Sequence, residues 1–342
     1  MRIIVLRTSA MGDVALVAPV LNALKAQHPE VETILVTRKS FNPFFRQDKS
    51  LIIFNPDFQG RHKGLAGIYR LYKDLVAIGQ VDHVIDIHNV LRSGILGFLF
   101  RMKGIPVSVM DKGRVEKRAL VRGKSKKPLK HTVERYREVF ASCGLEIIPG
   151  EEKQIFISSV AGEIASKVIG DHDVKNIGIA PFAKHNLKMW PSDNMVELTR
   201  LISRDFNVRF FLFGGRDEAE KIALITSKIP GAVNLCGKLN LDEELAVISK
   251  LDMMIAMDSS NMHMSALCGT KTVSIWGGTD PLAGFSAWRQ PDEYSIRVPV
   301  TDLTCRPCTV FGKGRCKRGD FACMKWLSPG IVYHKIRELN IL

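Results

Sequence analysis

The sequence has no run of about twenty apolar residues, the length a helix needs to cross a bilayer. Its longest candidate, Gly94 to Phe100, falls far short. Arg2, Arg7 and Asp13 punctuate the N-terminus and no cleavage-like site follows, so "RIIVL" reads as a first strand and not as a leader. These absences predict a soluble cytosolic chain. There is no G-x-G-x-x-G, which counts against a dinucleotide cradle. The seven cysteines contain no second C-x2-C pair. Cys143, Cys236 and Cys268 are scattered and suit packed positions. Cys305-x2-Cys308-x7-Cys316-x6-Cys323 is only a loose match to a structural zinc site, and reduced, packed or redox-incidental thiols are the favoured reading.

The 342 residues are 46% hydrophobic and 25% charged, enough for a sizeable core and for two domains. The net charge of +14 is uneven. Residues 112–130 (KGRVEKRALVRGKSKKPLK) hold nine Lys/Arg and one Glu, a net +8. One reading is a solvated, flexible basic loop. The other is a patch for an anionic partner such as phosphates, acidic sugars or lipid headgroups. The stretch has no aromatic side chain to stack on bases, which counts against nucleic acid.

Strand-like and helical stretches alternate from end to end. "RIIVL", "VETILVT" and "HVIDI" interleave with helices at Leu16–Gln27 and around Leu65–Ile78. "NIGIAP", "VRFFLFGG", "AVNLCG", "LDMMIAMD" and "TVSIWG" interleave with helices at Asn194–Arg204, Glu218–Ile229, Leu241–Lys250 and from Asn261. Continuous Val/Ile runs suit parallel sheets covered on both faces. The expected class is α/β, with two Rossmann-like domains facing each other across a cleft. The N-terminal domain is placed at 1–165, the C-terminal domain at 166–326 and a last helical segment at 327–342. In such sheets ligands bind beyond the carboxyl ends of strands, so functional groups should follow strands.

Four such loops stand out. After the first strand comes Arg7-Thr8-Ser9-Ala10-Met11-Gly12-Asp13, where Asp13 is either a helix N-cap or a general base. After "NIGIAP" come Lys184 and Lys188, the latter followed by Trp-Pro; each is a surface lysine or a phosphate ligand. After "VRFFLFGG" comes Glu218, placed to hold ribose hydroxyls or simply to complement a helix dipole. After "LDMMIAM" comes Asp258-Ser259-Ser260-Asn261-Met262-His263, a strand end followed by small polar residues and a helix start. The free amides of Ser260, Asn261 and Met262 would receive a diphosphate. His263 is a core histidine or orients that loop.

Taken together and in order, "RTSAMGD", "KMWP", "GGRDE", "DSSNMHMSALCGT" and "WGGTDP" resemble the ADP-heptose–lipopolysaccharide heptosyltransferases of glycosyltransferase family 9, across roughly residues 1–340. The resemblance implies a GT-B fold, with the acceptor bound mainly to the first domain and the nucleotide sugar to the second. It also implies a last helix, Pro329–Leu339, that packs back on the first domain. On residues, it implies that Asp13 is the catalytic base, Lys188 a phosphate contact, Glu218 a ribose ligand, and Asp258 to His263 the diphosphate turn. Three departures bear on the identity of the donor. Ser260 stands where the family has Gly, "GGTDP" where it has "GPTDP", and Phe182 and Lys184 lie in its small-residue loop.

The expected activity is therefore inverting, metal-independent transfer of a heptose or related sugar from ADP-heptose to the lipopolysaccharide inner core. No cofactor is expected, since the ADP-sugar is a substrate. Residues 112–130, placed in the acceptor domain, would grip the acidic acceptor and hold the chain on the cytoplasmic leaflet. Two other classes remain as competitors. A dinucleotide-binding oxidoreductase lacks its glycine fingerprint, and a nucleic-acid module with a zinc-like cysteine cluster has no use for Asp13, Lys188 and Glu218.

Overall fold

The computed structural model describes every residue except Gln47, Lys49 and His172. The chain forms two units, Met1–Gly113 with Thr132–Phe156, and Arg114–His131 with Ile157–Leu342.

The first unit is built on β1 (Arg2–Leu6), β2 (Glu32–Val36), β3 (Ile52–Phe54), β4 (His83–Asp86) and β5 (Val107–Val109), all parallel, in the order β3-β2-β1-β4-β5. Apolar β1 lies at the centre and is buried from Ile3 to Leu6. The connecting helices are α1 (Met11–Ala15), α2 (Ala18–Gln27), α3 (Gly64–Val76) and α4 (Leu91–Arg101). Sequence periodicity suggested one helix from Leu16. In fact the helical turn starts at Met11, breaks at Leu16–Val17 and resumes at Ala18, where Pro19 sits in the first turn that tolerates it. Chain order reverses between β1 and β4, so the loops leaving these two strands diverge. A crevice at such a switch point is where open α/β sheets take ligands.

The basic segment is not a loop of this unit. It contains α5 (Arg114–Val121), which buries Lys117 and Leu120, and belongs with the second unit. The expected placement of 112–130 in the first domain is thus corrected for 114–130, while Lys112 and Gly113 stay with the first unit, and the reason is local bonding. Leu129 N donates to Leu282 O, Lys126 Nζ to Val300 O, and the His131 ring meets Ser286 O and lies 4.9 Å from Trp288. Lys117 sits over the Phe285 ring. The chain then returns to the first unit with α6 (Thr132–Ala141).

The second unit has β6 (Lys175–Ala180), β7 (Val208–Leu212), β8 (Val233–Asn234), β9 (Met253–Met257), β10 (Lys271–Trp276) and β11 (Ser295–Arg297). They are parallel and ordered β11-β10-β9-β6-β7-β8, so the reversal falls between β6 and β9. Its helices are α7 (Ser159–Ile169), α8 (Ser192–Asp205), α9 (Ala219–Thr226), α10 (Leu241–Ile248), α11 (Ser260–Leu267), α12 (Ala322–Lys325) and α13 (Pro329–Glu338). The expected boundary at 165/166 falls inside α7. That helix packs on α10, and Ser158 Oγ donates to Asp242, so the division lies after Phe156.

The last helix also departs from expectation. α13 packs on α8, its Val332, Tyr333 and Ile336 join the second unit's core, and Tyr333 Oη donates to the Asp205 carboxylate. Its apolar stripe finds its partner inside its own unit.

Candidate functional site

In the first unit the switch point carries Asp13. The residue is not the N-cap: Ala10 is, and Asp13 is the third helical residue, with Oδ2 accepting from Ala10 N at 3.4 Å. That oxygen also lies 2.7 Å from Arg7 Nη2. Arg7 is buried, donates its other terminal nitrogen to Ile87 O at 2.7 Å and lies over the Tyr136 ring. Tyr136 Oη in turn donates to the Asp13 carbonyl at 3.1 Å. The carboxylate is therefore held from below by a charge-assisted bond and keeps part of its surface in solvent, as a proton acceptor requires.

Beside it, the loop after β4 presents His88. Its two ring nitrogens meet Thr8 Oγ1 at 3.3 Å and Ser9 Oγ at 3.1 Å. Burial, reinforced by the Arg7 and Lys112 charges, pushes the imidazole down to about 4. It is neutral at physiological pH and ties the loops after β1 and β4 together. Asp86 Oδ1 fixes the same turn by accepting from His88 N and Asn89 N.

In the second unit the switch point brings together Lys188, from the loop after β6, and Asp258, at the end of β9. Lys188 Nζ lies 2.8 Å from Asp258 Oδ2, which also accepts from Thr279 Oγ1 at 2.8 Å. The two side chains are only 16% and 7% exposed, so an anion arriving there meets a cation already oriented.

Ser259 is the N-cap of α11 with no side-chain cap bond, and its Oγ is buried without a partner. The first-turn amides of Ser260, Asn261 and Met262 have no acceptor within the helix. The Met262 and His263 side chains are buried, so Met262 offers only backbone. Asn261 Nδ2 donates to Glu244, a carboxyl that burial pushes up to about 7.

Glu218 is not part of that pair. Its Oε2 turns back to accept from Gly215 N at 2.9 Å, and burial raises its pKa. It occupies the mouth of the β7 strand end, held in its own turn.

Two features here are absent from the sequence reading. The loop 309–320 folds over the Lys188 stem. Gly312 has φ +80°, and a Cβ there would stand 2.6 Å from Lys188 Cγ. Lys184, His185 and Asn186 form, with Gly312, Lys313 and Gly314, a cleft of about 340 Å³. Burial and then the Lys188, Lys313 and Lys184 charges hold His185 below its usual value, so this cleft gathers cations around the His185 ring.

The second feature is Arg306, fully buried. It donates to the carbonyls of Gly277, Thr279 and Val298 and lies 3.4 Å from Asp280. Its one signal in sequence is its position between Cys305 and Cys308.

Among the described residues all seven cysteines are free, and no group of three His, Cys, Asp or Glu side chains is arranged to hold a metal. Burial pushes the Cys323 thiol up to about 11 and raises that of Cys308, as fits packed thiols.

Comparison with known proteins sets these sites in context. The family model of glycosyltransferase family 9 (heptosyltransferase) matches residues 68–309. The lipopolysaccharide core heptosyltransferase OpsX of Haemophilus influenzae is 23% identical, over 81% of this chain and 79% of its own length. A solved family 9 glycosyltransferase from Veillonella parvula superposes with TM-score 0.76 at 19% identity, covering 99% of this chain and 96% of its own. Heptosyltransferase WaaC of E. coli, solved with ADP-2-deoxy-2-fluoro heptose, gives TM-score 0.67 at 18% identity, covering 99% of this chain and all of its own. The two parallel-sheet units are those of the GT-B heptosyltransferases, and the chain belongs to glycosyltransferase family 9 (heptosyltransferase).

Proposed function

We propose that this chain moves a heptose from ADP-heptose to the inner core of lipopolysaccharide by a single inverting displacement that needs no metal or cofactor. The observation that carries the reading is the pairing of family membership with the contents of the two switch points. Asp13 takes the proton from an acceptor sugar hydroxyl as that oxygen attacks C1 of the donor. Arg7 keeps the carboxylate aimed. As the C1–O bond breaks, charge builds on the diphosphate. Lys188 and the amides of Ser260, Asn261 and Met262 are fixed donors for that charge, usually the largest catalytic contribution. Asp258 and Thr279 position Lys188, and Ser259 and His263 support the turn. Glu218 leaves the Gly215 amide to accept ribose hydroxyls.

The basic segment 112–130 supplies cations for the phosphates and carboxylates of the acidic acceptor and draws the chain to the cytoplasmic leaflet, an attraction that salt weakens. No helix of the described residues is long and apolar enough to cross a membrane, so contact would be peripheral. With no dinucleotide fingerprint, no observation favours the oxidoreductase reading.

The test is calorimetry with ADP, UDP, GDP and CMP, followed by transfer from ADP-heptose to deacylated core acceptor. ADP should bind tightest and heptose should transfer with inversion. Preference for another nucleotide, or transfer that depends on an added divalent cation, would overturn the corresponding part.

A further inference from the structure

The first unit carries a surface that the reaction does not use. α3 and α4 pack side by side, burying Ile68, Leu71, Leu75, Leu96 and Phe100 in the core. On their outer sides large apolar side chains stand in solvent. Leu65 and Tyr69 lie one turn apart on α3, and Leu91 and Phe98 two turns apart on α4, with Met102 just beyond. Leu91 is 82% exposed, Leu65 72%, Met102 69% and Phe98 58%. Scattered exposed leucines need no explanation, but a grouped set on two neighbouring helices does.

The cations around them supply the explanation. Lys63, Arg70, Lys73, Arg92, Arg101 and Lys103 are all exposed on or beside these helices. Over residues 61–81 and 90–104 the one acid is Asp74, already held by Arg61 at 2.7 Å and His62 at 2.9 Å. None of the six cations has a carboxylate partner among the described residues. Arg92 and Lys73 lay their charged ends over aromatic rings, those of Phe58 and Tyr69, so cation and apolar surface meet directly on this face.

We infer that the α3–α4 face is a bilayer-docking surface, which lays its leucines, Phe98 and Met102 into the headgroup boundary of an anionic leaflet. With 13 and 11 residues the helices are too short to span and would lie in the interfacial plane. The commitment to lipid rests on charge complementarity: exposed apolar side chains interspersed with Lys and Arg that have no carboxylate partner match anionic headgroups over acyl chains. The surface belongs to the first unit and adds an insertion contact to the electrostatic attraction of 112–130. It does not depend on which residues carry out sugar transfer.

The experiment is co-sedimentation of the whole chain with vesicles of phosphatidylglycerol and phosphatidylethanolamine, against vesicles of phosphatidylcholine alone. The full chain should bind the anionic vesicles selectively. The double variant Leu91→Ser, Phe98→Ser should partition at least about tenfold more weakly. Its turnover on water-soluble deacylated acceptor should be unchanged, which reads the fold and the sugar-transfer reading separately. If the double variant fails to fold, Leu91→Gln alone decides, since that side chain is almost fully in solvent. Undiminished vesicle binding in these variants, equal binding to phosphatidylcholine, or a solution dimer that the substitutions abolish would each overturn the assignment.

Discussion

The two units carry the same sheet device and fill it with opposite chemistry. At the β1–β4 switch point the proposed functional group is the Asp13 carboxylate, and the buried partner behind it is Arg7. At the β6–β9 switch point the proposed functional group is Lys188, and the buried partner behind it is Asp258. Each pair has one more exposed member and one more buried member that holds it, at 2.7 and 2.8 Å. An ion pair at a sheet's carboxyl edge is therefore not itself the signal of function. What matters is which member is left accessible: Asp13 keeps more exposure than Arg7, and Lys188 more than Asp258.

The sharpest way to break this comparison is Asp13→Asn. Loss of the proton acceptor should lower kcat by about 10²–10⁴-fold while ADP affinity, measured by calorimetry, stays within about twofold of the parent. Near-normal turnover would remove Asp13 from its role. Lys188→Ala should do the reverse, weakening ADP binding by about ten- to a hundredfold, of the order expected for losing a charge-assisted bond to phosphate. Unchanged ADP affinity would leave Lys188 as no more than Asp258's partner.

Gly312→Ala tests the same asymmetry more gently. The new methyl would meet the Lys188 stem and impose a left-handed backbone on a non-glycine residue. ADP affinity should fall by roughly tenfold, with Asp13-dependent proton transfer, read from the pH profile of kcat, unaffected.

The smallest effect concerns pH. His88 has its folded value depressed to about 4 from 6.5, so below 6.5 the unfolded chain binds the extra proton. Stability present above pH 6.5 is lost progressively as pH falls toward 4, by about 2–3 kcal/mol at most for this one group. His131 in the second unit carries the same depression and adds the same sign. Thermal unfolding of His88→Asn should show a shallower loss between pH 6.5 and 4 than the parent; an identical slope would mean His88 is not the titrating group.

Much of this was legible beforehand because strand ends are legible. A Val/Ile run followed by small or polar residues marks the carboxyl edge of a parallel sheet, so the position of Asp13, Lys188 and Asp258 at strand ends could be read without coordinates. Three kinds of information were not available in that way. The short strands β3, β5 and β11 have three residues each and no periodicity to detect. The allegiance of the basic segment is decided by a few bonds to Leu282, Ser286 and Val300, and nothing in its composition specifies them. The outer faces of α3 and α4 look like ordinary amphipathic helices in sequence, because the pattern tells which residues are apolar but not which of them remain uncovered. Asp13 illustrates a finer limit: an acid near a helix start suggests a cap, yet the cap lies three residues earlier at Ala10, which leaves the carboxylate to Arg7.

Arg306 has a consequence for how this scaffold can vary. Its forked side chain fastens the start of the cysteine-rich loop to main-chain oxygens, which every residue possesses. The anchor is therefore indifferent to what those residues are, and the stretch from Thr309 to Asp320 hangs from a fixed point like a bracket with an interchangeable arm. Lengthening or recomposing that arm would redraw the rim beside Lys188 while leaving the sheet beneath untouched, so relatives with a different donor sugar would be expected to differ first in this arm.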